Sequence, residues 1–193
     1  MTKNPQIETV KLEKIVGGGQ ALGALDDGRK AFVWGGLPDE LVKFRITKKK
    51  SHFVEGIVTE VLSALSERIE PRDLESYLST SPWQIMNFDA EQRYKAALVE
   101  EAFELHNIVL PDPIEIYSDG RQFEYRNKVE FSWFGEKKKK NPDAETLDLA
   151  FFRRGSKGKV VVEGSALLPR AIVEIAHQIR DLLQAKNIQA RAE

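Results

Sequence analysis

Chemistry in this chain would have to come from its cations and its rings. Lys43, Arg45 and the run Lys48–Lys49–Lys50 form one basic concentration, with His52 close behind. Such a cluster suits phosphate. Several ammonium and guanidinium groups can neutralise neighbouring phosphates without reading bases. The same lysines could equally keep an exposed edge strand from pairing with another chain. A second concentration comprises Arg121, Arg126 and Lys128, followed by Lys137–Lys140. The Tyr125–Arg126–Asn127–Lys128 stretch offers a ring, a guanidinium, an amide and an ammonium in succession. Alternation along a strand would separate Tyr125 and Asn127 from Arg126 and Lys128. It would serve either a ligand or a strand-end network. The lysine tetrad reads as RNA contact or as a solvated loop.

Rings stack on bases. Phe32 and Trp34 share strand parity, and Phe44 and Phe53 fall in neighbouring strands. So small a barrel needs every large side chain, and these four are expected mostly in its core.

Catalytic constellations do not assemble. Gly17–Gly18–Gly19 lacks the lysine of a phosphate loop and the spacing of a dinucleotide turn. Ser66, Ser79 and Ser81 have no elbow context. Asp26–Asp27 reads as a turn and Glu100–Glu101 as a solvated helix face. There is no cysteine, which removes disulfides, thiolate zinc sites, cysteine-held iron–sulfur clusters and a thiolate nucleophile for attack on a pyrimidine ring. The histidines His52, His106 and His177 lack metal-ligand spacing.

The elements that must position these residues fall into two parts. Val10–Val16, Ala21–Leu25, Lys30–Trp34, Leu41–Thr47 and Phe53–Val61 read as short strands broken by Gly17–Gly19, Asp26–Asp27–Gly28, Gly35–Gly36 and Pro38. Five such strands in so short a stretch predict a small closed barrel of the oligonucleotide-binding type, up to about Ser66. From 67 to 193 an α+β unit is expected. It has a helix over Asp89–Leu105 with Asp89 as cap and Gln92 as its partner, and a closing helix from about Pro169 to Ala185. Between them, Ile114–Tyr117, Tyr125–Phe134, Leu147–Arg153 and Lys159–Glu163 read as strands, with a hairpin tip around Lys137–Asp143. The fold class is thus α+β, an OB-like five-stranded barrel followed by a central α+β domain. A formal net charge of −1 in 193 residues gives no global pull on a polyanion, so any such partner must meet local clusters. No apolar run approaches membrane-spanning length, and the N-terminal residues Met1–Val10 lack a signal core. A cytoplasmic monomer with no membrane contact is expected.

Taken in order, several segments resemble a known family. Val10–Val16, Gly17–Gly18–Gly19, Asp27–Gly28, Ala31–Phe32–Val33 and Gly36–Leu37–Pro38–Asp39–Glu40 resemble a TRAM domain, a small RNA-binding barrel. The resemblance continues through Arg68–Ile69–Glu70–Pro71, Trp83–Gln84, Glu91–Gln92 with Lys95, Tyr125–Arg126–Asn127–Lys128 and Phe131. It ends in Lys159–Glu163 and the closing helix. The set is similar to the S-adenosylmethionine-dependent RNA uridine-5-methyltransferases of ribosomal or transfer RNA. In that family the fourth residue of the Leu37–Glu40 motif is preceded by glycine, where this chain has Asp39.

The resemblance implies RNA binding, and the basic clusters make Lys43, Arg45, Lys48, Lys49 and Lys50, with Arg126 and Lys128 of the resembling Tyr125–Lys128 stretch, the residues expected to carry it. It also implies a catalytic domain beyond Glu193 that would hold S-adenosylmethionine. This chain alone is therefore expected to be inactive and to carry no cofactor. The alternative is a stand-alone, non-catalytic RNA-binding or ribosome-associated module. Many members carry a four-iron–four-sulfur cluster on a Cys-x5-Cys-x2-Cys run and a later cysteine. The corresponding places fall near Leu74 or Asp73, at Thr80 and Trp83, and near Ser165 or Ala166. None offers a thiolate, so the cluster is expected to be absent.

Overall fold

Alternation of apolar and polar side chains drives the first sixty residues into strands. The computed structural model describes residues 5–138, 141–155 and 157–190. It shows β1 (Ile7–Val16), β2 (Gln20–Ala24), β3 (Lys30–Trp34), β4 (Leu41–Lys49) and β5 (Phe53–Ser63). A short helix α1 (Tyr77–Thr80), a 3-10 turn (Pro82–Ile85) and helix α2 (Phe88–Glu104) follow. Then come β6 (Ser132–Phe134), β7 (Lys137–Lys138), β8 (Asn141–Glu145), β9 (Asp148–Phe152), β10 (Lys159–Val161) and helix α3 (Arg170–Ala185). The chain divides into two compact units, Met1–Pro71 with Ser81–Ser118, and Arg72–Thr80 with Asp119–Glu193.

In the first unit the five strands close into a barrel in the order β1-β2-β3-β5-β4. All neighbours are antiparallel except β3 and β5, which run parallel. This is the OB-like barrel expected from the strand pattern. Its core is Val10, Leu12, Ala21, Leu25, Ala31, Val33, Val42, Phe44 and Val54. Phe44 is the largest of the fully buried side chains. It is accommodated because its ring packs over Gly56 of β5, which has no side chain. A Cβ at Gly56 would lie 2.4 Å from Phe44 Cδ2 and 2.6 Å from the Arg45 carbonyl. The turn from β1 to β2 uses the left-handed conformation of Gly18 (φ 93°) and Gly19 (φ 91°), which side chains disfavour.

Strict alternation along β1 fails at one point. The register against β2 shifts between Leu12 and Lys14, so Val10, Leu12 and Ile15 are buried while Val16 is only half-buried. A bulge exchanges the two faces of the strand.

Helix α2 begins one residue earlier than expected. Asn87, not Asp89, is its cap, and Asn87 Oδ1 accepts from the Ala90 amide at 2.9 Å. Gln92 therefore lies outside the capping position, and Asp89 sits in the first turn, where a negative charge favours the helix dipole. The Ile114–Tyr117 strand does not form. Pro111 and Pro113 lack amide donors, and the Ile114 amide bonds to Glu100 Oε1 at 3.2 Å instead of to a strand.

In the second unit β9 lies between β10 and β6, all antiparallel, and β7 pairs with β8. Leu149, Val160 and Val162 form its core, with Phe131, Trp133, Phe151 and Ala176 of α3 against them. Pro169 stands at the N-cap of α3, so its missing amide proton costs the helix nothing. Of the expected Tyr125–Phe134 strand only Ser132–Phe134 is regular. Upstream, the backbone pairs elsewhere: the Glu124 amide donates to the Ala166 carbonyl at 3.0 Å and the Arg126 amide to the Leu167 carbonyl at 2.9 Å.

Candidate nucleic-acid interface

Strand β4 presents Val42 and Phe44 to the barrel interior, which leaves Lys43 and Arg45 on the outer face. The register places Lys43 beside Thr9 of β1 and Glu60 of β5, and Arg45 beside Ile7 and Ile57. Lys43 Nζ meets Glu60 Oε2 at 2.9 Å, and Lys48 Nζ meets Glu55 Oε1 at 2.6 Å. Lys49 Nζ donates to Gln6 Oε1 at 3.4 Å, and Lys50 is exposed at the end of the hairpin. Arg45, Lys49 and Lys50 have no carboxylate partner among the described residues. The paired lysines remain open to exchange. Exposed ion pairs are worth about 0–1 kcal/mol, so a phosphate can replace a carboxylate at little cost.

The rings are arranged differently from the expectation of a mainly aromatic core. Only Phe44 is buried; Phe32, Trp34 and Phe53 are half-buried on the outside of the barrel. The cause lies in β3, where Ala31 and Val33 occupy the inward positions and Phe32 and Trp34 must point outward. A narrow barrel already filled by Phe44 takes small side chains opposite it. Phe32 and Phe53 meet edge to face with centroids 5.8 Å apart, and Lys48 Nζ stands 5.4 Å from the Phe53 centroid. The β4–β5 hairpin thus brings the Lys48 ammonium to the Phe53 ring of an outward-facing aromatic pair. That combination suits a strand of nucleic acid, with phosphates on the cations and a base against a ring. The shared parity of Phe32 and Trp34, opposite two smaller residues, was the signal in the sequence.

Nearby, the β2–β3 turn is fixed by Asp27, whose carboxylate accepts from Arg29 Nε at 2.8 Å and from the Arg29 amide at 3.1 Å. These hydrogen bonds hold the Asp27 carboxyl below its ordinary range.

In the second unit Arg126 is exposed, with its guanidinium carbon 6.0 Å from the Tyr125 ring centroid. Lys128 Nζ pairs with Glu130 Oε1 at 2.7 Å, and that contact raises the lysine's pKa. A cavity of about 450 Å³ opens beside them, lined by Arg126, Asn127, Lys128, Thr80, Ser165 and Phe151 among others. Residues Lys139 and Lys140 of the basic tetrad lie outside the described residues. A larger cavity of about 610 Å³ in the first unit has Glu100, Glu104 and Asp112 in its wall and is unsuited to a polyanion.

Among the described residues no group of three or more acidic or histidine side chains is placed to hold a metal ion, and no helix is long and apolar enough to cross a membrane. The places that the resemblance assigns to an iron–sulfur cluster do not fit one. Of the places named, Leu74, Trp83 and Ala166 have no ligating side chain, and Asp73, Thr80 and Ser165 carry oxygen atoms in place of thiolates, with the Thr80 and Ser165 hydroxyls bonded to the Asp73 carboxylate.

No protein-family model matches the chain. Full-length comparison finds relatives along most of it. The chain is 25% identical over 183 residues to an uncharacterized RNA methyltransferase of Thermotoga maritima, covering 94% of this chain and 39% of that protein. It is 29% identical over 181 residues to an uncharacterized RNA methyltransferase of Aquifex aeolicus, covering 92% of this chain and 40% of that protein. Against the 23S rRNA (uracil(1939)-C(5))-methyltransferase of Neisseria lactamica it is 29% identical over 159 residues, 81% of this chain and 34% of that one. The chain is distantly similar to RNA methyltransferases and spans about two-fifths or less of the length of these three.

Proposed function

We propose that this chain is the RNA-binding region of an S-adenosylmethionine-dependent RNA uridine-5-methyltransferase acting on ribosomal or transfer RNA in the cytoplasm. The barrel, a TRAM domain ending near Ser66, and the central domain after it would grip a folded RNA. A further domain would present the cofactor and attack the extruded base. One observation carries the reading. A closed OB-like barrel carries the Lys48–Lys49–Lys50 run on its surface with the Lys48 ammonium at the outward ring of Phe53. Homology to RNA methyltransferases along most of the chain supports it.

In this reading the chain contributes binding and orientation. Arg45, Lys49 and Lys50 engage phosphates first, because among the described residues no carboxylate forms an ion pair with them. Lys43 and Lys48 follow by leaving Glu60 and Glu55. Phe53 and Phe32 receive a base from a single-stranded stretch. Arg126 and Lys128 give the central domain a second hold on the RNA backbone. None of these contacts encodes much sequence, so selection of the target uridine would depend on RNA shape and on the catalytic domain.

The test is a pair of assays on the purified chain. It should bind ribosomal or transfer RNA fragments in a fluorescence-anisotropy titration, and it should transfer no labelled methyl group from S-adenosylmethionine to them. Failure to bind any structured or single-stranded RNA at low salt would remove the reading. Methyl transfer by this chain alone would refute its non-catalytic assignment.

A further inference from the structure

We infer that the Asp73 carboxylate staples the second unit in the place where the family resembled by this chain would use a metal cluster. This rests on hydrogen bonds and stands apart from the RNA reading. Asp73 Oδ2 accepts from Ser165 Oγ at 2.6 Å and from Thr80 Oγ1 at 3.1 Å. Its other oxygen, Oδ1, accepts from the Ala166 amide at 2.8 Å. One carboxylate therefore ties together segments 92 residues apart in the chain. Thr80 is one of the places that the resemblance assigns to thiolate ligands, Asp73 or Leu74 is a second and Ser165 or Ala166 another, while Trp83 takes no part in the network. In place of thiolates stand one anion and two hydroxyls, each satisfied by its neighbours. Iron–sulfur clusters are ordinarily held by thiolates, whereas a carboxylate surrounded by donors makes strong, charge-assisted hydrogen bonds.

The staple sits at a junction. On its near side the Asp73 carbonyl accepts from the Ser76 amide at 2.9 Å and the Tyr77 amide at 2.7 Å, which starts α1. On its far side Ser165 Oγ also accepts from the Leu167 amide at 3.2 Å. The next carbonyls, of Ala166 and Leu167, then receive the amides of Glu124 and Arg126. Asp73 is thus a positioning residue. It fixes 165–167, and 165–167 fixes the backbone of the Tyr125–Lys128 stretch. A polar staple of this kind assembles with the fold and needs neither iron nor sulfide.

Four variants of the full chain test it. Asp73→Asn keeps the shape but turns an amide N–H₂ toward groups that must donate. Thr80→Val removes one hydroxyl at constant volume, Thr80→Ser retains it, and Ser165→Ala removes the other. The expected result is a fall in Tm of roughly 4–8 °C for Asp73→Asn. Thr80→Val and Ser165→Ala should fall less, and Thr80→Ser should recover most of the loss. Amide hydrogen exchange supplies a local readout. Protection at Glu124 and Arg126 should drop in Asp73→Asn, while barrel amides such as Val42 and Phe44 keep theirs. Iron chelators should leave the wild-type Tm where it was. The inference is overturned if Asp73→Asn melts and exchanges like wild type. It is also overturned if the purified chain holds stoichiometric iron and sulfide whose removal lowers Tm. Should Asp73→Asn not fold, the Thr80→Val and Thr80→Ser pair decides by the same two readouts.

Discussion

Glu40 and Arg68 form a two-point ion pair in which each oxygen of a fully buried carboxylate takes a guanidinium N–H at 2.6 Å. Glu40 also accepts the Leu37 amide at 2.9 Å and the Leu65 amide at 3.2 Å, and Arg68 donates to the Gly35 carbonyl at 2.9 Å. The Gly36–Glu40 and Arg68–Pro71 motifs are therefore one device, a clamp that closes the chain leaving the barrel onto the β3–β4 connection. Their pairing also explains why an acidic residue is tolerated with no solvent around it. Its lone pairs are filled by protein donors.

Arg68→Ala should be severe. It leaves the Glu40 charge buried without its counter-ion, which costs about 3–5 kcal/mol. Arg68→Lys should fall between, since an ammonium keeps the charge but not the two-point geometry. Urea unfolding followed by circular dichroism measures both. An Arg68→Ala midpoint equal to that of wild type would contradict the clamp.

Asp39 occupies the left-handed region, with φ 65°, at the place where the resembled family has glycine. Its amide donates to the Leu12 carbonyl at 2.8 Å, so the conformation is held by the barrel. Asp is among the few side chains that tolerate this region, and a β-branched one is not. Asp39→Val should lose roughly 1–2 kcal/mol, while Asp39→Gly should unfold at or above the wild-type midpoint. The order Gly, Asp, Val in thermal midpoints is the expected outcome, and Val equal to Asp would show the strain to be absent.

Much of this architecture was legible because a barrel strand alternates. Lys30–Trp34 matches β3 to its limits, and the alternation in Leu41–Thr47 separates Lys43 and Arg45 from Val42 and Phe44 as β4 does. Alternation misleads where the backbone slips. The bulge after Leu12 brings Ile15 inward, and no single-strand pattern announces it. Burial of Phe32, Trp34 and Phe53 was misjudged because size was weighed before parity, although parity was visible. In the second unit, Tyr125–Phe131 looks strand-forming, but the Glu124 and Arg126 amides at its start bond to the Ala166 and Leu167 carbonyls, a long-range pairing invisible to local pattern. The Glu40 and Asp73 networks were unreadable for the same reason. Their partners are 28 and 92 residues away.

The outward ring of Phe53 predicts a preference for unpaired RNA. Removing a base-stacking ring costs about 1–3 kcal/mol per base. Phe53→Leu, with the core untouched, should weaken binding to a single-stranded oligonucleotide about tenfold and leave a perfect duplex nearly unaffected. Anisotropy titrations with both RNAs measure the contrast. Equal losses on the two would assign the ring to structure.

The account depends most on the cationic hairpin meeting phosphate. The decisive measurement is the salt dependence of RNA binding by wild type and by a variant with Lys48, Lys49 and Lys50 all changed to Ala. Each phosphate contact on a single strand contributes about 0.7 to the slope of log affinity against log salt. Among the described residues no carboxylate lies within ion-pair distance of Lys49 or Lys50, and Lys48 must first leave Glu55. The account predicts weaker binding to many RNAs alike and a slope shallower by roughly 1.4–2. Unchanged affinity and unchanged slope, with the circular dichroism of the folded barrel intact, would contradict it.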